Sequence, residues 1–289
     1  MKFINALFIL ILLSISCDAI EDDPPVPGFS TGKFVKEISI NGYTREYIIH
    51  IPKAYTSKVP VPTVLSFHGL GSDMENNYSA SKFHILAENE NFISVYPNGN
   101  SNQWKMSADN NSDVDFIEAL LDQLETDYNI DSKRIYSVGM SNGGFFSFLL
   151  ACQLSDRIAA IGSVTGAMYQ PLINSCNPNR PISIIQMHGT QDRIVDYSYI
   201  SNLLDFWKDH NGTNVVPKIY TLPDIDKTDG STVERYVFSN GRNNVEVEHL
   251  KINNGDHNWP GYRGNMDIDA TEELWDFLKD FNMYGKINR

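Results

Sequence analysis

Short apolar runs alternate with stretches of helical spacing along most of the chain. Lys33 to Ile38 and Arg45 to Ile51 are β-rich and separated by Asn41-Gly42, which predicts an antiparallel hairpin. Pro62 to Phe67 is a continuous apolar strand ending in His68-Gly69-Leu70-Gly71; residues 78 to 89 have helical spacing; Phe92 to Tyr96 is a buried strand stopped by Pro97-Asn98-Gly99. Ser112 is the expected N-cap of the next helix, with Asp115 placed to reach back, and Val114, Ile117, Leu120, Leu121 and Leu124 form its apolar stripe. A strand at 134 to 138 and a helix to about Leu154 follow. Ile158 to Val164 and Ile182 to Met187 read as strands, and Asp196 to Asp209 as a helix. From Asn211 to Asn244 the chain is polar, and only Glu234 to Phe238 reads as a strand. Val245 to Ile252 is the last strand, and Asp269 caps a final helix with Leu274, Leu278 and Phe281 on one face. Strands alternating with helices imply right-handed crossovers, hence an α/β fold with a mostly parallel, doubly wound sheet of about eight strands and helices on both faces.

The N-terminus breaks this rhythm. Lys2 is followed by an apolar run, Phe3-Ile4 and Ala6 to Leu13, shorter than the ~20 residues of a spanning helix, so residues 1–16 read as a secretory signal. Ser14-Ile15-Ser16-Cys17 resembles a bacterial lipobox, which implies lipidation of Cys17 and attachment to a membrane only through that anchor. Ser14 stands where Leu is expected, and ordinary cleavage near Ala19 is the alternative. Residues 17–30 are acidic and Pro-rich, as in a tether. Residues 31–289 are then expected to form a single domain.

Composition narrows the partners. The net charge is −13 with no cluster of Lys or Arg, which excludes nucleic acid and disfavours polyanionic substrates, but not neutral esters. Besides Cys17 only Cys152 and Cys176 occur, and an exported chain favours a bridge between them, stabilising by roughly 3 to 4 kcal/mol; two small buried hydrophobes are the alternative. No His and Cys cluster has zinc spacing, so neither metal nor other cofactor is expected.

The most informative stretch is Gly139-Met140-Ser141-Asn142-Gly143, set between a β-branched run and an apolar helix. A serine hydroxyl needs a base and a presented geometry to act as nucleophile, and a sharp strand-to-helix turn flanked by Gly139 and Gly143 provides the second. The base and its orienting acid belong at the carboxyl ends of later strands. After the strand 182 to 187 stand Asp192 and Asp196; Asp196 suits a helix N-cap, which leaves Asp192 to orient. Of His210, His249 and His257, the first suits a helix end and the second a packed or edge position in a strand, whereas His257 lies in a loop after the last strand, where a base is expected. The backbone N–H groups of Asn142 and Leu70 are the expected oxyanion donors. No role is assigned to Asp256 or to the His68 ring.

Taken together, Phe67-His68-Gly69, Ser112-Asp113-Val114-Asp115-Phe116, Gly139-Met140-Ser141-Asn142-Gly143-Gly144, His188-Gly189-Thr190-Gln191-Asp192 and Asp256-His257-Asn258-Trp259-Pro260-Gly261 resemble the polyhydroxybutyrate-depolymerase-like esterases of the α/β-hydrolase superfamily. Feruloyl and acetyl-xylan esterases are part of that group. The resemblance spans residues 33 to 282. It implies Ser141, Asp192 and His257 as a triad, Trp259 in the substrate site, and a Cys152–Cys176 bridge. Asp256 departs from the Gly often found before the base. No polymer-binding module is recognised, which favours soluble feruloyl or acetyl esters of plant cell-wall oligosaccharides over crystalline polyester, with hydroxyalkanoate oligomers as runner-up. The rivals from other classes are a serine peptidase and a catalytically dead binding module.

Overall fold

A computed structural model describes residues 30–107 and 109–287. The expected signal, the Cys17 lipidation site and nearly all of the tether lie outside the described residues. In chain order the strands of the main sheet are β1 Gly32–Ile40, β2 Tyr43–Ile51, β3 Val61–Phe67, β4 Ile93–Pro97, β5 Ile130–Met140, β6 Ala160–Val164, β7 Ser183–Gly189, β8 Lys218–Thr221, β9 Thr232–Phe238 and β10 Val247–Asn253. The helices are α1 Met74–Ser81, α2 Phe83–Glu90, α3 Ser112–Asp127, α4 Asn142–Gln153, α5 Gln170–Ser175, α6 Tyr199–Asn211 and α7 Ala270–Leu278.

The sheet has ten strands rather than about eight, in the order β1-β2-β4-β3-β5-β6-β7-β10-β9-β8. Its centre, from β4 to β10, is parallel, and the antiparallel β1–β2 and β9–β8 pairs extend the two edges. Pattern and burial agree at the centre: β3, β4, β6 and β7 are buried at every residue, as parallel strands covered on both faces must be. On one face α3, α4 and α6 bury Leu120, Phe146 and Leu203 in a core with Ile49, Leu65 and Ile184. On the other, α1, α2 and α7 bury Met74, Phe83 and Leu274 against Val64, Val138 and Ile185. A large apolar side chain so buried contributes about 1.5–3 kcal/mol.

Local chemistry explains where the elements depart from expectation. The run 78 to 89 is two helices, because Lys82 takes a left-handed conformation, φ 54°, that ends one helix and starts the next. The cap of α3 is Asn111, not Ser112: its Oδ1 accepts from the N–H of Asp113 and Val114, and Ser112 is already helical. Asp196 is likewise not the N-cap of α6. The helix starts later, at Tyr199 behind Ser198, and Asp196 accepts from the Ser198 N–H at 2.8 Å. Strand β8 was not expected, since all four of its residues are exposed and no apolar alternation marks it. Asp269 caps α7 as expected, accepting from Thr271 and Glu272. A disulfide joins Cys152, in the last turn of α4, to Cys176, just after α5.

Candidate active site

Strand β5 runs straight into α4 through Ser141, which sits at φ 53°, ψ −119°. Such a conformation costs a non-glycine residue about 1–3 kcal/mol and persists only where its surroundings hold it. The Ser141 N–H donates to Val164 O at 2.8 Å, and the turn is packed too tightly for side chains on either side. A Cβ on Gly139 would lie 2.3 Å from the Gly143 backbone, and one on Gly143 would lie 2.2 Å from Phe67 O. Gly143→Ala is therefore expected to destabilise the fold by about 3 kcal/mol and to disturb the seat of Ser141, read as a lowered urea midpoint together with lost esterase activity.

The loops after β7 and β10 are stitched together. Thr190 N–H donates to Ile252 O and Gln191 N–H to Gly255 O, each at 2.9 Å, and Asn254 N–H donates to the Thr190 hydroxyl. Gly189 and Gly255 touch so closely that a Cβ on Gly189 would meet Gly255 O at 2.2 Å. This stitching brings together two residues 65 positions apart: His257 Nδ1 lies 2.7 Å from Asp192 Oδ2. Oδ1 of Asp192 accepts from the N–H groups of Ile194 and Val195 at 2.9 Å, and Oδ2 also lies 3.2 Å from His188 Nε2. Burial opposes the charge on Asp192, yet hydrogen bonds from His188, His257, Val195 and Ile194 hold its carboxyl well below the ordinary range. A carboxylate only accepts, so His257 donates from Nδ1 and keeps Nε2 to take a proton. Asp256 supports this arrangement by accepting from the His257 N–H at 2.8 Å and the Arg193 N–H at 3.4 Å.

Ser141 and His257 line one open cleft of about 420 Å³, with Gly69, Leu70, Trp259 and Arg263 among its walls. Gly69 runs beside the elbow: a Cβ there would stand 3.6 Å from Ser141 Cβ, which brings the neighbouring Leu70 to the same rim. Asn142 opens α4, so its N–H is one of the first-turn donors without a helical acceptor. Trp259 contributes little more than an edge: it is 5% exposed and its indole N–H donates to the Thr271 hydroxyl at 3.2 Å.

One bracing element went unrecognised in the sequence. Trp104 N–H donates to Asn142 Oδ1 at 2.7 Å, Asn142 Nδ2 donates to Trp104 O at 3.2 Å, and the indole N–H donates to His68 O at 3.0 Å. The ring stacks on Phe146 and meets Phe67 edge-on, so both rims of the elbow are tied to one side chain. Buried Asp113 secures this segment in turn, accepting from Lys105 N–H at 2.8 Å and pairing with Arg45 at 2.8 Å. Only a tryptophan in a polar stretch hinted at it. His68 is structural: its Nε2 accepts from Gly99 N–H at 2.9 Å, its Nδ1 donates to Gly69 O at 2.8 Å, and burial lowers its pKa.

Residues 105–235 match the family model described as Phospholipase/Carboxylesterase. Feruloyl esterase D of Neurospora crassa is 28% identical over 293 residues, covering 95% of this chain and 97% of that protein. A bifunctional acetylxylan esterase/xylanase of Neocallimastix patriciarum is 26% identical over 254 residues; that match covers 86% of this chain and 36% of the larger protein. Among solved structures, acetyl xylan esterase from Aspergillus awamori superposes with a TM-score of 0.66 at 14% identity, over 85% of this chain and 99% of that one. The fold is that of the α/β-hydrolases. Within that fold, the chain is similar to carboxylic ester hydrolases, feruloyl and acetylxylan esterases among them.

Proposed function

We propose that the chain is an exported serine carboxylesterase that cleaves feruloyl or acetyl esters of plant cell-wall oligosaccharides through an acyl-enzyme. The observation that carries the reading is the 2.7 Å His257–Asp192 contact beside a strained Ser141 in the same cleft. His257 Nε2 takes the Ser141 proton as the hydroxyl attacks the ester carbonyl, and Asp192 holds the imidazole in the tautomer this requires. The N–H groups of Asn142 and Leu70 receive the negative charge that develops on the carbonyl oxygen, each donor contributing about 3 to 4 kcal/mol. Collapse of the tetrahedral intermediate expels the sugar alcohol with the proton from His257. Water, activated by the same imidazole, then releases the acid.

The relatives named for acetylxylan and feruloyl ester cleavage support the substrate class. So does the cleft, which is open and, among the described residues, has no Asp or Glu in its walls and Arg263 as its cation, so that it admits an uncharged sugar ester or a phenolic acyl group. Export rests on the apolar leader and on the Cys152–Cys176 disulfide, a bond of oxidising compartments. Lipidation of Cys17 would then hold the enzyme at a membrane surface.

Methyl ferulate, acetylated xylo-oligosaccharides and hydroxybutyrate trimers, assayed side by side, test the substrate assignment. Turnover of the first or second at least tenfold above the trimer is the expected result. A preference for the trimer would move the assignment to hydroxyalkanoates, and turnover of none would defeat both.

A further inference from the structure

Three polar side chains, Gln186, His188 and His249, lie buried in the adjacent strands β7 and β10. Gln186 and His188 alternate on β7 and so share a face, and His249 on β10 is the register partner of Gln186. Gln186 and His188 have no exposed surface, and His249 is almost as deeply buried. Leaving any of them unpaired would cost about 1–3 kcal/mol, and their partners turn out to be one another. Tyr197 OH lies 2.8 Å from His249 Nε2, His249 Nδ1 2.6 Å from Gln186 Oε1, Gln186 Nε2 3.1 Å from His188 Nδ1, and His188 Nε2 3.2 Å from Asp192 Oδ2.

The chemistry of the neighbours fixes the direction of each link. His188 Nε2 faces Val195 O at 2.8 Å as well as the Asp192 carboxylate, both of which only accept, so this nitrogen carries a hydrogen. Gln186 Nε2 also lies 3.2 Å from Gly166 O and 3.1 Å from Met187 O, which identifies it as the amide nitrogen, donating to the bare His188 Nδ1. His249 Nδ1 faces two oxygens of Gln186 and therefore donates, leaving Nε2 to accept from the Tyr197 hydroxyl. Burial keeps this imidazole neutral by driving its pKa down to about 3, and burial also pushes the Tyr197 hydroxyl up to about 12, so neither group changes charge in the working range.

We infer that Tyr197, His249, Gln186 and His188 form a one-way relay of donors that ends beside Asp192, its last N–H shared between Val195 O at 2.8 Å and the carboxylate at 3.2 Å, with His188 as a positioning residue for the triad. The inference rests on Ser141, His257 and Asp192 acting as proposed above. Bonds aligned head to tail polarise one another, by roughly a tenth to a third per link, so the last donor, shared between Val195 O and the carboxylate, is stronger than an isolated imidazole N–H. The chain spreads part of the Asp192 charge back into the sheet and pins Oδ2 between two imidazoles. Without it, more of that charge would fall on His257. Of the other charged groups, Arg193, Asp196, Asp256 and Arg263 are solvent-exposed, so their influence is screened, and half-buried Lys251, the register partner of His188, is paired with Glu234 at 3.1 Å.

The test measures kcat/KM against pH, with thermal midpoints, for the wild type, His188→Phe, His188→Gln and Tyr197→Phe. Removing the final donor in His188→Phe is expected to lower kcat/KM about 10- to 100-fold. It should also move the acid limb of the profile to higher pH, because the carboxylate then favours the protonated imidazole more strongly. Tyr197→Phe, which removes only the distant hydroxyl, should shift the limb in the same direction by less. His188→Gln, which keeps an N–H near the position of Nε2, should restore the wild-type limb. A purely structural His188 would lower the thermal midpoint and leave the limb in place in every folded variant, and that result overturns the chain. If His188→Phe does not fold, the Tyr197→Phe limb decides alone: moved up, the chain stands; unmoved, it falls. A fluorophosphonate label on the wild type that Ser141→Ala abolishes keeps these outcomes apart from failure of the triad itself.

Discussion

Ser141→Ala should lose covalent labelling by a fluorophosphonate and about 10⁶-fold in kcat, with the fold intact. The size of the loss follows from the arrangement: without the hydroxyl, the imidazole and the two N–H donors have nothing to act through, and only substrate binding and oxyanion stabilisation remain. The intact fold follows from the backbone. Alanine at φ 53°, ψ −119° meets the same steric penalty as serine, so the thermal midpoint should barely move. Ser141→Gly separates strain from chemistry further, since glycine accepts this conformation; it should be equally inactive yet more stable by about 1 kcal/mol. Labelling or turnover that persists in Ser141→Ala would place the chemistry elsewhere in the cleft.

The elbow was readable in the sequence because its requirement is local. A positive-φ serine between crossing backbones demands glycine two residues to each side, and Gly139 and Gly143 are there. The parallel centre of the sheet was readable for a similar reason: strands buried on both faces are apolar throughout, as β3 and β7 are. The loops that carry Asp192 and His257 could be placed at the strand ends, but not their contact. That depends on Gly189 and Gly255 pressing together and on backbone hydrogen bonds between segments more than sixty residues apart.

What stayed hidden is mostly non-local or weakly marked. Lys82 gives no sign that it breaks a helix, because lysine has no side-chain preference for the left-handed conformation it takes there. Strand β8 is exposed at all four residues and is held by pairing with β9 alone, so it leaves no hydrophobic period. Trp104 is separated by thirty-eight residues from Asn142, which it clamps. The polar residues Gln186, His188 and His249 interrupt apolar strands, and such an interruption is itself a signal: a buried polar side chain must be paired, and three on adjacent strands can pair with one another. The sequence leaves His249 as either a packed or an edge strand residue, and in the structure it is packed, with both ring nitrogens bonded.

Asp192→Asn should lower kcat about 10⁴-fold near neutral pH while KM changes little, since the lost interaction concerns the base rather than substrate binding. The amide can present its NH₂ group to His257 Nδ1, which then accepts and leaves the proton on Nε2, the nitrogen that must take the proton of Ser141. The remaining environment favours that flip, because the amide oxygen can still receive the Ile194 and Val195 N–H groups. Stability adds an independent check with its own sign. The Asp192 carboxyl is held below its unfolded value, so its contribution to stability is fully present above about pH 4 and is lost as pH falls through the native value. Thermal midpoints of the wild type should therefore drop on acidification below about pH 4 more steeply than those of Asp192→Asn, which has no proton to take up at this position. Parallel acid profiles in the two proteins, together with a near-native kcat, would mean that the 2.7 Å contact neither orients the base nor holds the charge.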